Sequence, residues 1–196
     1  MISVIIPTQN SERVLVPTLA ALVPGSAEGL VREVVLADGG SADETAKIAD
    51  AAGCELLAGP EDEGERLKAA AASARGDWLL FLRPDGILDE GWTREVAAFL
   101  ATVARAGGSS ERAGAFKLAV DGYGLAPRIV EAAAAVRVAL LGRPRPDQGL
   151  LISRKFYTTL GGHAPGANSQ ARLLAAIGRR RMVMLRTRIA LPGRSH

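Results

Sequence analysis

Apolar residues along this chain follow two rhythms. Short apolar runs alternate with longer, Ala-rich stretches whose apolar positions recur at helical spacing. Ser3–Ile6, Glu33–Ala37, Cys54–Ala58 and Trp78–Leu82 read as buried strands. Pro7, Gly59-Pro60 and Pro84 are expected to close the first, third and fourth of these. Ser11–Leu22, Ala42–Ala52, Gly64–Ala74 and Glu90–Ala104 read as helices. Ser11 is a candidate N-cap, and Pro24-Gly25 and Gly53 serve as stops. Ala106–Ser110 reads as a loop. Beyond it the pattern loosens. Ala115–Val120, Gly149–Ser153 and Met182–Leu185 are candidate strands. Leu125–Leu141, Arg154–Leu160 and Gln170–Ile177 are candidate helices, the last two ending at Gly161-Gly162 and Gly178.

Strands that alternate with helices over short connections predict an α/β fold, a parallel sheet covered by helices. Ligands of such sheets bind beyond the carboxyl ends of the strands. The residues to read for chemistry are therefore Pro7–Asn10, Asp38–Ser41, Gly59–Glu65 and Arg83–Gly86. A nicotinamide-type dinucleotide site is set aside, because it needs a Gly-x-Gly-x-x-Gly turn after the first strand and Pro7-Thr8-Gln9-Asn10 has no glycine.

Composition adds one sharp asymmetry. All 21 Asp and Glu residues lie in 1–147, so nothing after Asp147 is acidic. The basic cluster Arg179-Arg180-Arg181 reads either as a peripheral contact with anionic lipid or a phosphorylated acceptor, or as a solvated run beside a helix C-terminus. Nucleic acid is not an expected partner, since no aromatic residues interleave with the basic ones. The single cysteine, Cys54, excludes an internal disulfide and reads as an inert strand residue. No apolar run reaches membrane-spanning length and no leader precedes the first strand, so a cytoplasmic protein is expected.

Two carboxylates stand at strand ends. Asp38 opens a Gly-Gly turn, where it can accept from a base N–H or ribose hydroxyl, or hold an Asx-turn for the next helix. Asp85 follows the fourth strand, where it can meet a cation bridging phosphates or serve as a turn residue in Pro84-Asp85-Gly86.

The runs Ser3-Val4-Ile5-Ile6-Pro7-Thr8-Gln9-Asn10-Ser11-Glu12 and Val34-Val35-Leu36-Ala37-Asp38-Gly39-Gly40-Ser41-Ala42-Asp43-Glu44-Thr45 resemble the first two signatures of family 2 glycosyltransferases. Gly76-Asp77-Trp78-Leu79-Leu80-Phe81-Leu82 with Asp85 looks like the third. Asp147-Gln148-Gly149 through Leu160-Gly161-Gly162 is similar to the acceptor-side segment. The resemblance implies one A-type domain over 1–196: a single Rossmann-like, mostly parallel sheet with helices on both faces. Residues 1–105 would bind the nucleotide-sugar and 106–196 the acceptor. It implies an inverting transfer from a UDP-type donor to a hydroxyl acceptor, commonly with Mg²⁺ or Mn²⁺. Pro7, Thr8 and Asn10 would line the base and ribose pocket, Asp38 would meet the base, and Asp85 the ribose or metal.

The chain departs from that family pattern in three places. The metal motif usually pairs carboxylates, whereas Asp85 is flanked by Arg83 and Gly86. Metal dependence is therefore expected to be weak or absent, with Arg83 contacting phosphate or forming a surface ion pair. The family's base normally follows the Gly-Gly element, yet His163–Gln170 holds no carboxylate. Asp147 is the preferred base and His163 the second candidate; their structural alternatives are a backbone-bonded carboxylate and a packed ring. Arg66 and Lys68 replace polar and glycine positions on the donor side, and at most one of them faces phosphate. A module of the same fold that binds nucleotide-sugar without catalysis is the rival reading.

Overall fold

The computed structural model describes residues 1–106, 111–120, 133 and 144–192. Strands β1 (Ile2–Thr8), β2 (Val31–Asp38), β3 (Glu55–Ala58) and β4 (Trp78–Phe81) are linked by helices α1 (Glu12–Ala27), α2 (Thr45–Ala51) and α3 (Glu63–Ser73). There follow β5 (Ile87–Leu88), α4 (Trp92–Arg105), β6 (Ala113–Val120), β7 (Leu150–Ser153), α5 (Arg154–Thr159), α6 (Ser169–Ile177), a 3-10 turn (Arg179–Arg181) and β8 (Met182–Leu191). Apart from residue 133, the candidate helix Leu125–Leu141 lies outside the described residues, as does most of the loop Ala106–Ser110.

The eight strands form one curled sheet in the order β3-β2-β1-β4-β7-β6-β8-β5. β1 to β4 pair parallel, as does β6 with β8, whereas β4·β7, β6·β7 and β5·β8 are antiparallel. Alternation along β1 explains the two covering layers. Ile2, Val4 and Ile6 face Leu15, Leu19 and Leu22 of α1 and Trp92, Val96 and Phe99 of α4. Ile5 faces the other way, toward Leu67 and Ala70 of α3, Phe156 of α5 and Leu173 and Leu174 of α6.

Three of the boundaries that differ from the sequence reading have a visible cause. Pro7 does not end β1, which runs on to Thr8 opposite Asp38. The carbonyl of Ile5 accepts from Leu82 on the β4 side, and β4 stops opposite Ile5. Residue 7 points the same way as residue 5, so the N–H that proline lacks would have found no strand there. Pro24 does not end α1, which continues to Ala27. The proline forfeits only the bond to Ala20. Beside it, Gly25 leaves room for the Trp92 ring, which a Cβ would approach to 2.6 Å. The Trp92 Nε1 then donates to the Ala21 carbonyl at 2.9 Å.

The third difference is β8, which passes through the polar stretch Arg186-Thr187-Arg188 to Leu191. Its pairing with β6 shifts register there. Glu95 of α4 accepts from the Arg186 and Thr187 amides and the Thr187 hydroxyl, so the irregular backbone is satisfied from a neighbouring helix. Arg154 performs a similar task elsewhere. Its guanidinium donates to the carbonyls of Ala71 (2.9 Å), Ala74 and Gly76 (2.9 Å), closing the end of α3 onto the approach to β4.

Candidate functional site

The carboxyl ends of β1, β2 and β4 are adjacent, which brings three of the sequence-predicted loops to one edge. The first two are laced together. Asn10 takes a left-handed backbone (φ 49°). Its amide donates to Ser41 Oγ at 2.9 Å, and its Oδ1 accepts from the Ala42 amide at 2.9 Å. Asp43 accepts from the Glu12 amide (3.0 Å) and from the Thr45 amide and hydroxyl (3.1 and 2.6 Å). Residues 42–44 are thereby committed to the loop, and α2 starts at Thr45 rather than at Ala42.

Asp38 is the hub of this lacing and is 5% exposed. One oxygen accepts from the hydroxyls of Thr8 (2.8 Å) and Ser41 (2.5 Å), the other from the amides of Gly40 (3.0 Å) and Ser41 (2.8 Å). Burial pushes the carboxyl up, but these donors outweigh it and hold Asp38 below the ordinary carboxylate value. With four donors in place a carboxylate has no open lone-pair direction. Asp38 therefore builds the turn, and a base N–H would have to displace a protein donor to reach it. Thr8 is likewise buried and bound to Asp38. Pro7 is half-buried beside it, and Asn10 is exposed, its side-chain NH₂ lacking a partner among the described residues.

Arg66, on α3, lies across the same turn. It is 4% exposed, and a Cβ on Gly39 would meet its guanidinium carbon at 2.8 Å. Its Nη1 donates to the carbonyls of Pro60 (3.1 Å) and Glu61, whereas its buried Nε has no partner. Lys68 is exposed on another face. The start of α3 touches the loop before α6. Asp62 caps Glu65 (2.9 Å) and accepts from the Gly166 amide (2.6 Å), and Gly64 abuts Ala164 and Ser169 with no space for a side chain.

His163 is not at the mouth of this site. It is 0% exposed, wedged edge-on against Phe81. Its Nδ1 lies 2.8 Å from the Tyr157 hydroxyl and its Nε2 2.6 Å from Gln170 Oε1. Burial pushes its pKa down to about 4, and the bond to Gln170 only partly opposes this. A neutral ring with both nitrogens engaged and no exposed surface is a core residue, and its candidacy as base is corrected on those grounds.

The β4 exit and the β7 entry face each other, because these strands pair antiparallel with Phe81 opposite Leu150. Arg83 Nε and Nη2 grip Asp85 at 2.7 and 2.8 Å. Arg145 Nε and Nη2 grip Asp147 at 3.0 and 2.7 Å. In each pair the arginine is the outer partner: side-chain exposures are 51% against 16%, and 39% against 14%. The two pairs sense one another. The bond to Asp85 raises the pKa of Arg83, with Asp147 and Glu63 adding to it, and Arg83 in turn slightly opposes the rise of Arg145 caused by Asp147. Gln148 anchors this corner, accepting from the Arg145 amide (2.6 Å) and donating to the Phe116 carbonyl (2.8 Å). Arg145 was missed from sequence. The available signal was the tripeptide Arg-Pro-Asp, which occurs at both 83–85 and 145–147.

This donor set does not suit a divalent cation. Both oxygens of Asp85 face a guanidinium, and among the described residues there is no group of three His, Cys, Asp or Glu side chains that could hold a metal. The basic cluster Arg179–Arg181 is exposed on a 3-10 turn away from these loops in sequence. Arg181 stacks over Phe156 (5.5 Å) and pairs with Glu111 at 3.5 Å. Cys54 is half-buried just ahead of β3, and burial pushes its thiol pKa up. Among the described residues no helix is long and apolar enough to cross a membrane.

Comparisons with known proteins agree on one family and one fold. Residues 3–110 match the family model described as glycosyl transferase family 2. The chain is 36% identical over 114 residues to a PGL/p-HBAD biosynthesis glycosyltransferase of Mycobacterium tuberculosis and to one of Mycobacterium bovis, a match covering 51% of this chain and 41% of each relative. It thus spans under half the length of these curated relatives. Glucosyl-3-phosphoglycerate synthase from Mycobacterium tuberculosis, solved with Mn²⁺, UDP and glucosyl-3-phosphoglycerate, superposes with a TM-score of 0.66 at 22% identity, over 100% of this chain and 71% of that one. Staphylococcus aureus TarS gives 0.70 at 19% identity, over 97% and 60%. At such identities these two structures establish the fold, the A-type sheet with its covering helices.

Proposed function

Because this chain belongs to glycosyl transferase family 2, we propose that it moves a sugar from a UDP-type nucleoside-diphosphate donor to a hydroxyl acceptor, with inversion at the sugar carbon. The observation that carries this reading is the meeting of the β1, β2 and β4 exits with the β7 entry at one sheet edge. The relatives solved with UDP support the donor class.

In this scheme Pro7 and Asn10 line the nucleoside pocket, and Thr8 and Asp38 act by holding its wall. Arg66 stiffens the same wall from behind Gly39. The acceptor oxygen attacks the sugar carbon as the bond to the diphosphate breaks, through an oxocarbenium-like transition state. Asp147 takes the hydroxyl proton, so its oxygens must come free of Arg145 in the loaded complex.

The test is calorimetric titration with UDP followed by turnover of UDP-sugars against a panel of hydroxyl acceptors. Asp147→Asn is expected to abolish transfer and leave donor affinity intact; surviving turnover would place the base elsewhere. The engagement of Asp85 and Asp147 by arginines also favours a second reading, a binding module without catalysis. UDP binding with no transfer or hydrolysis would select it.

A further inference from the structure

Arg-Pro-Asp is an unusual tripeptide to find twice at one place. The copies end β4 and lead into β7, two antiparallel neighbours, so both sit on the carboxyl edge. Each folds back identically: the arginine fork closes on the aspartate two residues on. The intervening proline fixes one backbone torsion and offers no N–H to compete for the carboxylate. Each pair is neutral in sum, yet the cation is outermost and the anion lies beneath it. Each guanidinium spends Nε and Nη2 on its aspartate, leaving Nη1 without a hydrogen-bond partner among the described residues. The surface that a ligand meets is therefore a pair of oriented cations.

A divalent cation and this arrangement are alternatives. A metal at Asp85 would have to compete with the Arg83 guanidinium that both carboxylate oxygens face. Nearby Arg145 would repel it, and among the described residues no second and third acidic or imidazole ligand converges there. Building on the nucleotide-sugar reading above, we propose that the two Arg-Pro-Asp pairs form a cation-independent clamp for the donor's diphosphate, with Arg83 and Arg145 as its two jaws, Asp85 as the prop that aims Arg83, and Arg145 passing from Asp147 to phosphate as the donor binds. Each guanidinium keeps its outward Nη1 for one of the two phosphoryl groups, and it stays charged at every working pH.

The experiment is calorimetric titration of the full chain with UDP and with uridine, in a chelator and again with Mn²⁺. The wild-type dissociation constant for UDP is expected to agree within about twofold between the two conditions. Arg83→Gln and Arg145→Gln are each expected to weaken UDP roughly tenfold or more, the loss of a charge-assisted bond. Uridine affinity should stay unchanged in both variants, which also reports an intact fold. UDP binding that appears only with Mn²⁺ and vanishes in Asp85→Asn would overturn the clamp while sparing the nucleotide-sugar reading. So would full UDP affinity in both arginine variants. No UDP binding in either condition would overturn the clamp and the nucleotide-sugar reading together.

Discussion

Acidification is expected to destabilise this protein through His163. The ordinary imidazole value is 6.5, and burial takes the folded ring to about 4. Between those values the unfolded chain binds a proton that the folded chain refuses. Stability from this group is therefore intact above pH 6.5 and falls as pH drops toward 4, at up to about 1.4 kcal/mol per unit. From pH 7 to pH 5 the loss works out at about 2 kcal/mol, a large share of the roughly 5–15 kcal/mol that holds a domain folded. Urea denaturation at the two pH values measures it. His163→Phe should lose this component of the slope, although it costs about 1–3 kcal/mol at pH 7 by stranding the Tyr157 hydroxyl and the Gln170 side chain. The chain has two histidines, so proton NMR can follow each ring. A His163 ring that titrates near 6.5, or a variant with an unchanged slope, would refute the buried neutral imidazole.

Two further outcomes are expected. Asp38→Ala should cost about 2–3 kcal/mol in urea denaturation, because four donors lose their acceptor; since the folded carboxyl is held low, that contribution is present above the unfolded value near 3.8 and fades only as pH falls through the folded one. Full stability with UDP binding abolished would instead make Asp38 a direct ligand. Gly64→Ala places a Cβ against the Ala164 carbonyl and 2.7 Å from Ser169 Oγ; backbone cannot yield cheaply, so a loss of about 1–3 kcal/mol is expected in a thermal melt, and an unchanged melting temperature would show that α3 can slide.

The four parallel strands were legible because buried strands are short apolar runs, and the site loops followed from strand direction alone. Boundaries failed where a tertiary partner absorbed a local defect. Pro7 was harmless because β4 had already stopped, and Pro24 because it forfeits a single bond near the end of α1. The second half of β8 read as polar until Glu95 took its amides. The two-residue β5 carries too little pattern to be seen. At the site, sequence reasoning found Asp38, Asp85 and Asp147 but not what each is bonded to. The donors to Asp38 come partly from another strand, and the burial of His163 depends on α5 and α6 packing under β4. Arg145 was overlooked because a lone arginine carries no signal; only its repetition with Arg83 in the same tripeptide does.

The placement of β5 has a consequence for how far the ligand edge can be disturbed from afar. β4 and β5 are separated by only Leu82–Gly86, yet β5 pairs with β8 at the opposite end of the strand order. Gly86 rests on Ile189, which a Cβ would approach to 2.8 Å. The segment bearing Arg83 and Asp85 is thus the buckle that fastens a rolled sheet to itself, with the closing strand as its backing plate. Shortening the protein from residue 182 onward would unfasten that buckle, and the nucleotide edge would slacken although no residue proposed to touch the nucleotide had been removed.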